Sequence, residues 1–202
     1  MLVIGLTGGT GSGKGCVCRK FLNYKINSID TDKTSRKVCD VGTPCLNELV
    51  QNFGSTILNP DRTLNRKALA EIAFSDKQKH LTLNQITHKY ILNEVRTWLN
   101  LEKNNGTKAA IVDAPLLYES GFDKECDVII AVTAPVETRI KRIIERDNIS
   151  IDAAKLRLSK QGDDDFYTQK ADFVITNNGN LDELDLQIEN IYNTLLLKGH
   201  IS

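Results

Sequence analysis

The sequence predicts an α/β domain with a five-stranded parallel sheet and helices on both of its faces. Five short apolar runs, most of them rich in Val and Ile, are too short for helices and indicate buried strands. Helical stretches lie between them, and this alternation is typical of parallel sheets. Strands this apolar require cover on both faces. The five runs span residues 2–6, 27–29, 109–112, 128–132 and 173–175.

Helices are predicted over residues 14–23, after the first strand, and over residues 137–146 and 151–160, after the fourth. The region 34–101 contains no convincing strand, so we expect it to form a helical subdomain inserted into the sheet domain. Apolar residues spaced three and four apart indicate a last helix, with Gly199 near its C-terminal end. These residues are Leu181, Leu184, Ile188, Ile191 and Leu195.

The composition excludes several classes of protein. The 202 residues, 41% of them hydrophobic and 26% charged, suit one domain with an insertion and argue against disorder. The 26 Lys and Arg balance the 26 Asp and Glu, whereas proteins that bind nucleic acid through bulk charge carry a basic excess. Five cysteines without a C-x-x-C pair argue against a zinc cage or a disulfide framework.

The N-terminus has no basic region typical of a signal peptide, and its apolar run ends after a few residues. No run in the chain approaches the ~18 apolar residues that span a bilayer. We therefore expect a soluble, cytoplasmic protein with neither a membrane nor a nucleic acid as its partner.

The strongest local motif is the glycine-rich segment at residues 8–14, which matches G-x-x-x-x-G-K. Such a loop curls so that successive backbone N–H groups point at an anion, and a Cβ would obstruct several positions. The helix that follows adds the positive end of its dipole. Lys14 then reaches the β- and γ-phosphates of a nucleotide. The motif directly follows a predicted strand and precedes a predicted helix, which is the context it requires.

Gly15 departs from this motif, because the residue after the lysine is normally Ser or Thr. That hydroxyl binds Mg²⁺, and glycine has no side-chain oxygen to replace it. A water molecule could take its place, since Mg²⁺ usually keeps several waters. The thiols of Cys16 and Cys18 are poor ligands for a hard cation. The departure therefore predicts either a water-bound metal or weakened metal binding.

Acidic residues follow two of the predicted strands. Asp30 and Asp32 come at the end of the second strand, and Arg36 follows them. These carboxylates could accept a proton from a substrate hydroxyl or hold Mg²⁺, and Asp32 could equally cap a helix. Asp113 ends the third strand, where it could hold a metal ion through water or act only as a turn residue.

Arg139, Arg142 and Arg146 are spaced so that they lie on one face of a helix. They could bring guanidinium groups to a phosphoryl group in transfer, or form an ordinary solvated ion-pair face. After the fifth strand, the polar turn with Asn177 and Asn178 could contact a purine base or serve only as a turn.

The chain resembles the dephospho-coenzyme A kinase family over nearly its whole length. The most distinctive segment is residues 115–119, P-L-L-Y-E, which is close to the family's P-L-L-[FY]-E. Arg62 and Lys89 depart from the pattern, in place of a glycine and a proline. The other matching residues are 7–14, 30–32, Arg36, 61–66, His88, Arg142, Arg146, Arg157, Gln161 and 171–179.

The resemblance implies a P-loop NTPase-type three-layer fold with a helical substrate-binding insertion at 34–101 and a lid at 139–165. It implies transfer of a phosphoryl group from ATP, with Mg²⁺, to the ribose 3′-hydroxyl of dephospho-coenzyme A, the last step of coenzyme A synthesis. Asp32 would be the general base, and Lys14 and Arg142 would stabilise the phosphoryl group.

By position, the resemblance also assigns the binding residues. ATP would contact Gly11, Ser12, Gly13, Lys14, Gly15, Cys16, Arg142, Asn177 and Asn178. The acceptor would contact Asp32, Arg36, His88, Leu117, Tyr118 and Arg139. Asp32 and Asp113 would serve the metal, Asp113 through water.

Three alternative functions remain open from the sequence. The first is a GTPase, because residues 169–172 weakly resemble the guanine-binding N-K-x-D, although they precede the last strand instead of following it. The second is a P-loop kinase for another small molecule, such as a nucleoside. The third, suggested by Gly15, is a nucleotide-binding regulator that phosphorylates nothing.

Overall fold

A computed structural model describes residues 1–199 and Ile201 of the chain. It contains a five-stranded parallel sheet, which confirms the predicted fold class and all five strands. The spatial order of the strands is β2-β3-β1-β4-β5. Each strand extends one residue beyond its predicted end. The strands are β1 (Leu2–Thr7), β2 (Asn27–Asp30), β3 (Ala109–Asp113), β4 (Val128–Thr133) and β5 (Phe173–Thr176).

Alternate side chains of the central strands are buried on both faces of the sheet. Ile4, Ile111 and Ile130 belong to one apolar cluster with residues of the helices. Ala110 and Ala131, which point to the opposite face, have no exposed surface either. This two-sided burial explains why the strands are apolar runs without polar alternation.

Residues Met1–Ile29 and Asn100–Ser202 form the first of two compact units, here called the sheet unit. Its last helix buries four residues of the predicted apolar stripe, whereas Leu181 is exposed, and Gly199 follows with a positive φ of 71°. A short helix of five residues was not expected from the sequence. The helices of this unit are α1 (Lys14–Phe21), α6 (Val136–Asp147), α7 (Ile151–Ser159), α8 (Asp164–Thr168) and α9 (Leu181–Leu197).

Residues Asp30–Leu99 form the second compact unit, here called the helical unit. It has its own apolar core, which includes Cys45, Leu49 and Ile57. Its only extended pairing among the described residues is a bridge between Leu58 and Leu64. Its helices are α2 (Thr31–Lys37), α3 (Pro44–Phe53), α4 (Arg66–Ala73) and α5 (Lys77–Asn104), the last of which continues into the sheet unit.

None of the helices in the described part of the chain has the length and apolar character needed to span a membrane.

Candidate functional site

The predicted phosphate loop connects β1 to α1 in the sheet unit. Gly8, Gly11 and Gly13 have φ angles of 138°, 77° and 96°, which residues with a Cβ rarely adopt. Gly13 is also the N-cap of α1, so the loop ends at the positive pole of a helix. The backbone therefore has the curled conformation that an anion-binding loop requires.

Neighbouring groups approach the loop so closely that its glycines have a second purpose. A Cβ on Gly8 would lie 2.2 Å from the backbone oxygen of Val132. A Cβ on Gly9 would lie 2.1 Å from Arg139 Nη2, and one on Gly13 would lie 2.1 Å from Asn177 Nδ2. The glycines thus leave room for the groups that hold the loop from outside.

The Lys14 side chain folds back over the loop. Its Nζ donates a hydrogen bond to the carbonyl of Gly8 at 2.8 Å. The ammonium group therefore lies beside the loop backbone, where it adds a full positive charge to the helix dipole. At the start of α1, the Cys16 N–H donates to the Gly13 carbonyl at 2.8 Å.

Arg142 and Asn177, both predicted to bind ATP, lie against the loop and contact each other. Arg142 Nη1 donates to the carbonyls of Gly11 and Ser12, each at 3.2 Å, and Nη2 donates to Asn177 Oδ1 at 3.0 Å. Asn177, only 4% exposed, donates from Nδ2 to the Ser12 carbonyl at 3.0 Å. This network fixes the second half of the loop from α6 and from the end of β5.

Arg139, predicted to bind the acceptor, lies against the first half of the loop. The residue is 5% exposed, and its Nε donates to the Thr10 carbonyl at 3.0 Å. Its Nη1 pairs with Asp164 Oδ1 at 3.1 Å. Arg139 therefore supports the loop, and its role at the acceptor stays a prediction.

Arg146, farther along α6, lies at a solvated ion-pair face. Its Nε pairs with Asp147 Oδ1 at 2.8 Å, and Arg157 pairs with the same carboxylate. The hydrogen bond from Arg146, with Arg157 nearby, lowers the pKa of Asp147 to about 2. The three arginines of α6 thus divide between loop contacts and a surface ion pair.

Oxygen atoms suited to Mg²⁺ lie near the loop, but Gly15 contributes none. The buried hydroxyls of Thr7 and Ser12 have no hydrogen-bond partner among the described residues. Asp113 lies at the end of β3 and is 9% exposed. Its Oδ2 accepts a hydrogen bond from Cys18 Sγ at 3.9 Å. No group of three His, Cys, Asp or Glu in the described chain could hold a metal. These residues fit a Mg²⁺ ion held mainly by phosphate oxygens and waters.

Three further predicted residues have structural contacts. Leu117 has no exposed surface, and a Cβ on Gly5 would lie 2.9 Å from its Cδ2, so its side chain packs against β1. Its expected contact with the acceptor stays a prediction. The Tyr118 hydroxyl donates to the Tyr167 carbonyl at 3.0 Å. Asn178 Nδ2 donates to Glu183 Oε2 at 2.6 Å, which ties the turn to the first turn of α9.

In the helical unit, the two acidic residues at the start of α2 have different surroundings. Asp30, not Asp32, is the N-cap, because its Oδ1 accepts from the Lys33 N–H at 3.0 Å. Asp32 lies in the first turn of α2 and is exposed. The capping alternative for Asp32 is therefore wrong, and its carboxylate stays available for chemistry.

The other acceptor-side residues of the helical unit are Arg36 and His88. Arg36 is exposed in the last turn of α2, and its carbonyl accepts from Arg66 Nη2 at 3.5 Å. Burial on α5 lowers the pKa of His88, so this imidazole is neutral at pH 7. A neutral imidazole can both donate and accept hydrogen bonds.

Sequence reasoning missed the functions of Thr10 and Asp164. The N–H of Thr10 donates to Gln161 Oε1 at 2.8 Å, and its carbonyl accepts from Arg139. Neither contact has a local signature, because the partners lie more than a hundred residues away. The glycines on either side of Thr10, Gly9 and Gly11, were the only signal in the sequence that other groups approach this part of the loop closely.

Comparisons with known proteins agree with this geometry. The family model described as dephospho-CoA kinase matches residues 2–183. A dephospho-CoA kinase of Corynebacterium glutamicum is 37% identical over 196 residues, which are 97% of this chain and 98% of that relative. One from Listeria innocua is 41% identical, with 92% of each chain covered.

A solved structure, the dephospho-CoA kinase of Campylobacter jejuni, superposes with a TM-score of 0.69 at 27% identity, covering 98% of both chains. The family model spans the loop, the α6 arginines and the turn at Asn177, which are the parts that form the site. The chain belongs to the dephospho-CoA kinase family.

Proposed function

We propose that the protein transfers the γ-phosphoryl group of ATP to the ribose 3′-hydroxyl of dephospho-CoA, yielding CoA and ADP. The observation that carries this proposal is the phosphate loop, with Lys14 over its backbone, in a chain of this family. Phosphoryl transfer needs positioning and charge neutralisation more than covalent help, and the loop supplies both.

Lys14 and Arg142 would stabilise the charge on the transferred phosphoryl group. Lys14 lies beside the loop, and Arg142 already donates to loop carbonyls. Gly11, Ser12, Gly13 and Cys16 would bind the phosphates through backbone N–H groups. Asn177 would contact the nucleotide while holding the loop.

Asp32 would orient the acceptor hydroxyl and accept its proton. A ribose hydroxyl is a weak acid, so a carboxylate helps as much by orienting it as by removing the proton. Arg36 and His88 of the helical unit would contact the acceptor. The support for Asp32 is its exposure beside a separate capping residue, Asp30.

Bound Mg²⁺ would supply neutralisation of part of the phosphate charge. Asp113, acting through water, would hold it on the protein side. Thr7 and Ser12 offer further oxygen atoms near the loop. Water in place of the missing hydroxyl at Gly15 fits the ion's preference for retained waters.

The insertion 34–101 would bind the acceptor, and the segment 139–165 would act as a lid that excludes water during transfer. The support is that the helical unit has its own core and that the lid segment already contacts the loop. We also infer a cytoplasmic enzyme that acts on small molecules and needs no nucleic acid or membrane.

The test follows ADP production with ATP, Mg²⁺ and one acceptor at a time: dephospho-CoA, adenosine or shikimate. We expect ADP only with dephospho-CoA, and a product heavier by one phosphoryl group at the ribose 3′ position. Turnover with adenosine or shikimate alone would instead indicate a different kinase. ADP binding without any turnover would indicate a regulator.

A further inference from the structure

Every polar group of Thr10, in the first half of the phosphate loop, is held by the segment that follows β4. Its N–H donates to Gln161 Oε1 at 2.8 Å, and its carbonyl accepts from Arg139 Nε at 3.0 Å. Its hydroxyl faces Arg146 Nη2 at 3.5 Å. The three partners come from one stretch of about twenty residues, so this stretch fixes the position of Thr10.

We propose that Gln161 is a positioning residue for nucleotide binding, which it controls through the Thr10 amide. This inference rests on the proposed function. The backbone N–H of a loop residue would otherwise turn to water or to another acceptor, and the neighbouring glycines permit such a change. With Gln161 in place, the first half of the loop keeps one conformation before ATP arrives.

Pre-organisation of this kind affects binding more than chemistry. A loop that must first be ordered spends part of the binding free energy on that step. Arg139 holds the neighbouring carbonyl, and its own guanidinium is held by Asp164. Gln161 is therefore the contact of the Thr10 amide that can be replaced without disturbing the buried Arg139, because Gln161 is partly exposed.

The test compares Gln161→Met, which keeps the size of the side chain and removes the acceptor, with Lys108→Ala, a change of an exposed side chain outside the lid segment. We expect ADP binding, measured by calorimetry, to weaken about 3- to 10-fold in Gln161→Met and to stay unchanged in Lys108→Ala. The kcat at saturating ATP should fall less than about two-fold, because the network acts before the chemical step.

Hydrogen exchange at the Thr10 amide provides a second readout that needs no nucleotide. Gln161→Met should accelerate this exchange while the melting temperature stays that of the parent. Unchanged exchange or unchanged ADP affinity would overturn the inference. If the parent protein itself bound no ADP, the proposed function would fail. The hydrogen-exchange result would still show whether Gln161 protects the Thr10 amide.

A separate observation concerns two cysteines in the helical unit. Cys39 follows the end of α2, and Cys45 lies in the first turn of α3. Their sulfur atoms are 3.8 Å apart, and both are free thiols. Gly42, with a φ of 85°, turns the chain between them. A small rotation of each side chain would bring the sulfurs to bonding distance.

The two thiols differ in their surroundings. Cys39 lines a cavity of about 500 Å³ together with Asp40, Val41, Thr63, Leu64 and Arg66, whereas Cys45 has no exposed surface. The hydrogen bond from Cys45, with Arg66 nearby, lowers the pKa of Cys39 against the opposing effects of burial and Asp40. The same hydrogen bond and burial raise the pKa of Cys45.

We infer that Cys39 and Cys45 form a peroxide-sensitive dithiol, in which Cys39 is attacked through the cavity and Cys45 resolves it. The Cys39 thiolate displaces hydroxide from hydrogen peroxide, so the O–O bond breaks and a sulfenic acid forms. The Cys45 sulfur then attacks the Cys39 sulfur, the S–O bond breaks, and water leaves with the Cys45 proton. One peroxide is reduced to two waters as two thiols become one disulfide.

A disulfide between Cys39 and Cys45 can be detected in a single peptide. Trypsin releases residues 38–62 as one peptide whose only cysteines are these two. The intact protein is treated with hydrogen peroxide, and remaining thiols are then alkylated with N-ethylmaleimide in denaturant. We expect this peptide to escape alkylation and to be lighter than its reduced form by about 2 Da. Cys126, on another tryptic peptide, should stay alkylated and serves as the internal control.

The variant Cys45→Ser should leave Cys39 as a sulfenic acid that dimedone traps, and Cys39→Ser should give no oxidation of Cys45 under the same conditions. A parent peptide that carries two maleimide groups after peroxide treatment would overturn the inference. A disulfide that joins either cysteine to Cys16 or Cys18 would overturn it as well.

Discussion

The phosphate loop and the start of α2 differ in how their polar groups are used. In the loop, Arg142 donates to two backbone carbonyls, and a Cβ on Gly8 would collide with Val132, so neighbouring groups hold the backbone in place. At the start of α2, Asp30 caps the helix, whereas Asp32 is exposed. Residues held by many contacts determine shape, and an exposed acidic residue beside its capping neighbour is available for chemistry.

This difference predicts a separation of effects. Changes to the held residues should reduce stability or nucleotide binding, and a change to Asp32 should reduce turnover alone. Gly15 differs from the other loop glycines, because a Cβ added to it would meet no close neighbour. The nearest atom would be Arg19 Nη1 at 3.8 Å. Its missing side chain is not required by packing.

The largest effect is expected for Asp32→Asn. The amide cannot accept the proton of the acceptor hydroxyl, so kcat should fall by about 100-fold or more. ADP affinity and the melting temperature should remain those of the parent. The control is Asp30→Asn, which keeps a capping side chain and should retain turnover. If Asp32→Asn kept parental kcat, the assignment of Asp32 as the base would be wrong.

The next effect is expected for Gly8→Ala. Its Cβ would meet a backbone oxygen at 2.2 Å, and its φ of 138° adds strain. The free energy of unfolding should fall by about 3 kcal/mol, as measured by urea denaturation. Gly106→Ala is the matched control, because its φ of 78° is also positive but nothing lies within 4 Å. Equal losses in both variants would show that strain alone matters.

Arg142→Ala should have an intermediate effect. If its charge acts on the phosphoryl group in transfer, kcat should fall by about 10- to 100-fold, more than ADP affinity falls. Lys141→Ala, an exposed change on the same helix, serves as the control. Equal losses of kcat and ADP affinity would instead identify Arg142 as a holder of the loop, as its contacts with Gly11 and Ser12 suggest.

The smallest effect is expected for Gly15→Ser, which restores a hydroxyl where there is space for it. We expect the Mg²⁺ concentration for half-maximal rate to fall by about 3- to 10-fold, and ADP to bind more tightly when Mg²⁺ is present. Gly15→Ala separates the hydroxyl from helix propensity, because it should stabilise α1 by up to about 1 kcal/mol without moving the Mg²⁺ curve. If Gly15→Ser left the Mg²⁺ dependence of the rate unchanged, water would already replace the missing hydroxyl as a metal ligand.

The fold was predictable to the extent that local patterns determine it. The five strands are confirmed. The central strands β1, β3 and β4 are buried runs of aliphatic residues, which leave a clear signal, whereas the edge strands β2 and β5 are only partly buried. The short helix α8 was missed because five residues carry no helical periodicity. The strand order depends on long-range pairing, which no local pattern encodes.

The loop was predictable from its glycines, but the residues around it were less so. Arg139 was assigned to the acceptor by the family resemblance, which gives no sign that its guanidinium also donates to a loop carbonyl. By residue type, Asp32 was as good a candidate for the N-cap of α2 as Asp30. Only the structure shows that the Asp30 carboxylate accepts from the Lys33 N–H and caps the helix. Such choices depend on three-dimensional position, so they require the structure.

The bond between Ser12 and Asn177 joins residues 165 positions apart. A ribosome that adds about 5–20 residues each second makes Asn177 some ten to thirty seconds after Ser12. During this interval the nascent chain carries the complete glycine motif without the side chain that shapes its second half. Newly made chains should therefore acquire nucleotide affinity only near the end of translation, and truncation before β5 should give a protein that retains the motif but cannot hold a nucleotide.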